Sequence, residues 1–167
     1  MKIQSRHFLS IGLLLVTMFA LTFEAQAQQS SPEATAKPSG ASESDLAAIK
    51  QTALDYIEGY YEGNGERMER ALHPELAKRI VITDPNSGRS RLDQMSAMTL
   101  TLGTRSRASR PTPKEKRQSD VTILDVFENA ASVKIVATDW IDYLHVAKFN
   151  GRWVIVNVLW ELKPQQK

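Results

Sequence analysis

Seven side chains of this 167-residue sequence have the types and spacing to do chemistry: Tyr56, Tyr60, His73, Asp139, Trp140, Asp142 and Asn157. Tyr56 and Tyr60 stand four residues apart, so on a helix both hydroxyls leave the same face, where they could polarise a carbonyl. His73, before Pro74, could serve as a general base at neutral pH or bond the last carbonyls of a helix. Asp139 and Asp142 flank Trp140 and offer the two carboxylates that acid–base chemistry uses when their environments hold the pKa values apart. Each has a plain structural alternative: core tyrosines with polar tips, a capping histidine, strand-end carboxylates in salt bridges.

Other chemistries are excluded. There is no cysteine, hence no disulfide, thiolate metal site, cysteine nucleophile or thioether-linked lipid anchor. His7, His73 and His145 are the only imidazoles, and His7 falls in the N-terminal leader, so an all-histidine catalytic zinc site cannot be built. Phosphate-binding glycine loops, nucleotide fingerprints, a Ser-His-Asp motif and metal-spaced histidine pairs are missing, so neither a cofactor nor a metal is expected. The formal charge of +2 selects no partner class. Arg105, Arg107, Arg110, Lys114, Lys116 and Arg117 form a basic run, but it lacks interleaved aromatics and carries Pro111 and Pro113; it reads as a solvated loop, without nucleic acid as partner.

Positioning these residues requires a folded domain, and the chain divides accordingly. Lys2 and Arg6 precede an apolar run over 8–23 that ends in Ala25-Gln26-Ala27, the pattern of a cleavable secretory signal over 1–27. The run is short for a membrane span, so no stable membrane anchor is expected, and the mature chain should be periplasmic or secreted. Residues 28–43 contain no large apolar side chain and two prolines, and are expected to be a disordered linker. One domain is expected over 44–163, followed by a tail over 164–167.

Leu46, Ile49, Ala53, Tyr56 and Tyr60 recur at helical spacing after a Ser42-x-x-Asp45 capping pattern, and Gly63-Asn64-Gly65 should end that helix. A short helix is expected over 66–72 with His73-Pro74 as its exit, then a strand over 79–83 and a turn over 84–88. Ser90-x-x-Asp93 could cap a third helix with Leu92, Met95, Thr99 and Leu102 on one face and Gly103 as its stop, followed by the basic loop over 104–119. Strands are expected over 121–127, 132–138, 142–149 and 152–160, the last two joined by an Asn150-Gly151 hairpin.

That hairpin pairs Phe149 with Arg152, and, if the ladder runs unbroken, Val146 with Ile155, Leu144 with Asn157 and Asp142 with Leu159. One face then carries Leu124, Val133, Ile135, Leu144, Ile155 and Leu159 together with Asp139, Asp142 and Asn157. The other carries Ile123, Tyr143, His145, Val156, Val158 and Trp160, too apolar to be wholly solvated, and is a candidate homodimer surface.

The order helix, helix, strand, helix and four antiparallel strands resembles the nuclear transport factor 2-like superfamily. The segments 56–61, 71–79 and 139–145 (Tyr-Ile-Glu-Gly-Tyr-Tyr, Ala-Leu-His-Pro-Glu-Leu-Ala-Lys-Arg and Asp-Trp-Ile-Asp-Tyr-Leu-His) are similar to the bacterial family named Putative lumazine-binding. The resemblance implies an α+β cone in which helices pack on a curved antiparallel sheet around a cavity, with frequent dimerisation through the sheet. It implies no chemistry, because the superfamily holds isomerases, cyclases, dehydratases and noncatalytic proteins alike.

The leading expectation is an exported, noncatalytic protein holding a small organic ligand between helices and sheet, with the seven residues above around it. One alternative is an enzyme acting on a carbonyl substrate, with Tyr56 or Tyr60 as oxyanion donor and His73, Asp139 or Asp142 as base. Another is an interaction module whose pocket is filled by its own side chains.

Overall fold

The computed structural model describes residues 41–164; the expected signal sequence, the expected linker up to residue 40 and the expected tail from residue 165 lie outside the described residues. The first helix, α1 (Glu43–Glu62), begins where Ser42 accepts a hydrogen bond from the Asp45 amide, and ends on Gly63, whose left-handed φ of 69° lets its N–H reach the Gly59 and Tyr60 carbonyls. Ile49, Ala53, Tyr56, Ile57 and Tyr61 are its buried apolar residues, so the buried stripe is turned towards Ile57 and Tyr61, leaving Tyr60 half-buried at its edge. A short helix, α2 (Gly65–Ala71), follows directly and buries Met68.

The chain then forms six strands and a third helix in the order β1 (Leu72–Thr83), β2 (Ser90–Ser96), α3 (Ala97–Ser106), β3 (Ser119–Phe127), β4 (Ala130–Ala137), β5 (Trp140–Phe149) and β6 (Arg152–Leu162). They make one curved sheet with strand order β2-β1-β6-β5-β4-β3. All neighbours are antiparallel except β1 and β6, whose parallel pairing makes the sheet mixed. The fold is the expected α+β arrangement of helices on a curved sheet.

Several local expectations are corrected. His73 and Pro74 do not leave a helix but open β1, and Pro74 falls in the break between the Leu72–Ile155 and Ala77–Asn157 pairs, where a missing N–H costs no ladder bond. The stretch from Ser90 is not a helix: Ser90–Ser96 pairs with Ala77 to Thr83, and the cap lies six residues on, where the Ser96 hydroxyl accepts from the Thr99 amide at 3.2 Å. The helical spacing of Leu92 and Met95 was fortuitous, since Leu92 is 60% exposed and pairing to β1 decides the conformation. Gly103 stops nothing, because α3 runs on to Ser106 and takes the first part of the expected basic loop.

The Asn150-Gly151 turn sets Phe149 opposite Arg152 and Val146 opposite Ile155, as the hairpin predicts. A bulge at Val156 then shifts the register by one, so that His145 faces Asn157, Leu144 faces Val158, and Asp142 faces Trp160. Val158 and Trp160 therefore join the helix-covered face and Asn157 and Leu159 leave it, the reverse of the unbroken ladder. A second bulge, at Leu124, turns Ile123 inward and leaves Leu124 half exposed. The core lies between α1, α2 and the inner sheet face, around Ile57, Tyr61, Met68, Ile135, Leu144 and Ile155.

Candidate functional site

The pocket is assembled from both helical and strand elements around one buried lysine. Leu76, Lys78 and Ile80 alternate inward along β1, and Lys78 is the polar member of that row, with its side chain 6% exposed. Its parallel partner is Val158; two residues further along β6, Trp160 stands opposite Asp142 of β5. This diagonal brings the Lys78 Nζ within 2.7 Å of Asp142 Oδ1, while the second carboxylate oxygen accepts from the Trp140 indole N–H at 2.6 Å. Lys78 also donates to the Tyr56 hydroxyl at 2.5 Å, across from α1.

Around these polar atoms the walls are aromatic. The ammonium lies 4.7 Å from the Trp160 ring centre, 5.3 Å from that of Tyr56 and 5.8 Å from that of Trp140, so ring faces supply part of the solvation that water no longer gives. The cavity measures about 170 Å³, and Tyr60, Met95 and Leu100 complete its rim. Tyr60 is held edge-on to Trp140 at 5.3 Å, and the Arg107 guanidinium lies over its ring at 4.2 Å from the centre.

Burial sets the protonation behaviour. Loss of water pushes the Lys78 ammonium below its ordinary pKa, with the Asp142 carboxylate opposing that shift. Burial, reinforced by the charge of Asp142, pushes Tyr56 well above the ordinary phenol value, so it keeps its proton. Asp142 is fully buried with both oxygens engaged; the pair is held by geometry, since an unpartnered charge there would be costly.

Counting donors against acceptors shows what the cavity lacks. An ammonium has three N–H bonds, and two of those on Lys78 are used. The indole N–H of Trp160 is buried with no hydrogen-bond partner among the described residues. Two residues that line the cavity, Lys78 and Trp160, thus carry donors without an acceptor among the described residues, while both oxygens of the neighbouring carboxylate are occupied.

Of the seven residues expected from sequence, Tyr56, Tyr60 and Trp140 line this cavity, and Asp142, buried behind it, is bonded to two lining residues, Lys78 and Trp140. The other three do not. His73 stacks on Phe149 at 4.5 Å and accepts from the Glu75 amide at 3.2 Å, away from the pocket. Asp139 is exposed in the turn before β5, where its carbonyl accepts from the Lys163 amide. Asn157, moved to the outer face by the bulge, accepts from Arg79 at 2.9 Å and neighbours His145 at 3.3 Å.

Lys78 and Trp160 were missed from sequence. Reading β1 from Arg79 left Lys78 outside the strand, although its two-residue spacing from Ile80 and from Leu76 put it on the apolar row. A larger surface hollow of about 340 Å³ between Leu72, Ala97, Met98 and Leu102 contains none of the expected residues; Glu69 and Arg105, which pair at 2.7 Å, border it. Among the described residues, no cluster of three or more His, Asp or Glu is placed to hold a metal, and no helix is long and apolar enough to cross a membrane.

Residues 44–161, all but the first and last residues of the helix-and-sheet unit just described, match the model of the family named Putative lumazine-binding. The chain belongs to that family. Solved structures similar to this family member include nuclear transport factor 2-like proteins of unknown function. One, from Methylobacillus flagellatus KT, is 21% identical with a TM-score of 0.59, covering 76% of this chain and 98% of the other. A second, from Silicibacter pomeroyi DSS-3, is 17% identical with a TM-score of 0.56 over 72% and 97% of the two chains. A third, from Shewanella baltica OS155, is 19% identical with a TM-score of 0.56 over 73% and 96%. At such identities the likeness shows the fold alone. No curated protein matches this lumazine-binding family member.

Proposed function

We propose that this protein binds a small, planar organic molecule that offers hydrogen-bond acceptors, seated between Tyr56, Tyr60, Trp140 and Trp160. The observation that carries this reading is the buried Trp160 N–H without a partner among the described residues, on a residue that lines the same cavity as Lys78, beside a carboxylate with no free oxygen. A ligand carbonyl or ring nitrogen satisfies such donors, and aromatic walls with a few polar groups are the usual makeup of small-molecule sites. The family's name points the same way, because a lumazine ring is planar and carries carbonyl oxygens. Asp142 is unsuited to take a proton from the ligand itself, since Lys78 and Trp140 occupy its two oxygens, so binding is favoured over turnover. Native mass spectrometry of protein purified from its own host should show a retained small molecule that Trp160→Phe releases. An empty wild-type pocket that also fails to take up lumazine would reject this reading.

We further propose export after cleavage following Ala27, supported by the leader pattern of residues 1–27. N-terminal sequencing should find Gln28 first; a chain retaining Met1 in the membrane would refute it. A homodimer through the outer sheet face is the third part of the proposal. Phe127, 72% exposed, projects beside a hollow of about 200 Å³ bordered by Ala130, Ala131 and Val156, so a second copy could seat its own Phe127 there.

A further inference from the structure

Beyond reversible binding, and resting on the pocket reading above, the geometry points to Lys78 as a covalent capture site for an aromatic aldehyde or ketone, held as an iminium against Asp142. Three features support this. The amine lines the cavity instead of facing solvent, its side chain being 6% exposed. A carboxylate and a phenol, Asp142 at 2.7 Å and Tyr56 at 2.5 Å, stand in hydrogen-bond contact with the same nitrogen, so a proton can leave it and be returned nearby. Burial among Trp140, Trp160 and Tyr56 costs the ammonium more than the ring faces and Asp142 return, so its pKa is lowered and the fraction of free amine rises.

The step balances without any outside reagent. Asp142 takes a proton from the Lys78 ammonium, and the freed lone pair attacks the carbonyl carbon, forming the C–N bond as the C=O pair moves onto oxygen. The protonated Asp142 carboxyl returns its proton to that oxygen, giving a hydroxyl; Asp142 then takes a second proton from the nitrogen and delivers it to the hydroxyl. The C–O bond then breaks, water leaves, and the iminium remains. An ammonium and a carbonyl have become an iminium and water, so the charge beside the Asp142 carboxylate is unchanged, and a buried ion pair is replaced by another ion pair. A ligand with the aldehyde on a flat ring places its ring among the tryptophans and its carbonyl carbon at Nζ.

The test uses the full-length protein, benzaldehyde as probe and sodium cyanoborohydride to trap any imine near neutral pH, read by intact mass and peptide mapping. One benzyl group should appear on Lys78, about tenfold or more faster than on exposed Lys50, Lys114 or Lys116, a ratio that corresponds to about 1.4 kcal/mol. Lys78→Arg keeps a cation for Asp142 but has no nucleophilic amine, and should abolish this labelling. If Lys78→Arg does not fold, the double variant Lys78→Met with Asp142→Leu removes both charges and should give the same loss. Labelling spread evenly over surface lysines with Lys78 unmodified overturns the proposal. The indole N–H resonances of Trp140 and Trp160 separate the two readings: shifts on adding benzaldehyde without Lys78 labelling leave reversible binding standing and end the covalent one, and neither shift nor labelling ends both for this ligand class.

Discussion

Lys78 on β1 and Asp142 on β5, 64 residues apart, meet at 2.7 Å inside the sheet because the bulge at Val156 puts Trp160 of the intervening strand on the covered face. Removing one member of such a pair strands the other charge without water. Asp142→Leu alone should lower stability by about 3–5 kcal/mol, whereas adding Lys78→Met should restore it to near or above the starting value. Urea unfolding of the two variants checks this. Equal destabilisation by single and double variants would show that the two charges do not depend on each other.

The adjacent tyrosines of α1 should behave differently. Tyr61 donates to the Gln118 carbonyl at 2.7 Å and accepts from the Thr138 amide at 2.9 Å, tying α1 to the start of β3 and the end of β4. Tyr61→Phe leaves that amide without its partner and should cost about 1–3 kcal/mol. Tyr60, whose hydroxyl makes no such bond, should tolerate Phe within about 0.5 kcal/mol while ligand binding weakens. Thermal melts and a ligand titration of both variants distinguish the roles.

Acid sensitivity should trace in part to the start of α1. The Asp45 carboxyl is held down to about 2 by hydrogen bonds from Lys148, the Trp153 indole and Ser42. A carboxylate depressed in the folded state contributes stability above its unfolded pKa of about 4, and that contribution is lost as pH falls from about 4 towards about 2. Asp45→Asn should therefore lower the urea midpoint at pH 7 but leave the midpoint near pH 2 close to wild type. A constant difference between the two proteins across that range would dismiss the linkage.

The outer face supplies an oligomerisation test. Phe127→Asp changes an exposed side chain, so the monomer fold should survive with stability altered by less than about 0.5 kcal/mol, while sedimentation should move from dimer to monomer. Val156→Asp, at the bulge, should act in the same direction. A wild-type protein that sediments as a monomer at every concentration would remove the dimer.

Much of this protein is written locally in its sequence. The Ser42 cap, the Gly63 stop, the Asn150-Gly151 turn and the alternation along β4 and β5 each depend on neighbours within a few residues, so propensity and period disclose them. The same periodicities placed Tyr56 and Asp142 towards a common core. What tertiary structure alone decided is the content of the pocket. One extra residue at Val156 exchanges Asn157 and Leu159 for Val158 and Trp160 on the inner face, and no local signal marks it, because a bulge is fixed by how two strands pack. The pairing of β1 with β2 likewise overrode the helical spacing after Ser90, and the extension of β1 through Lys78 turned a residue with an ordinary surface preference into the buried centre of the site.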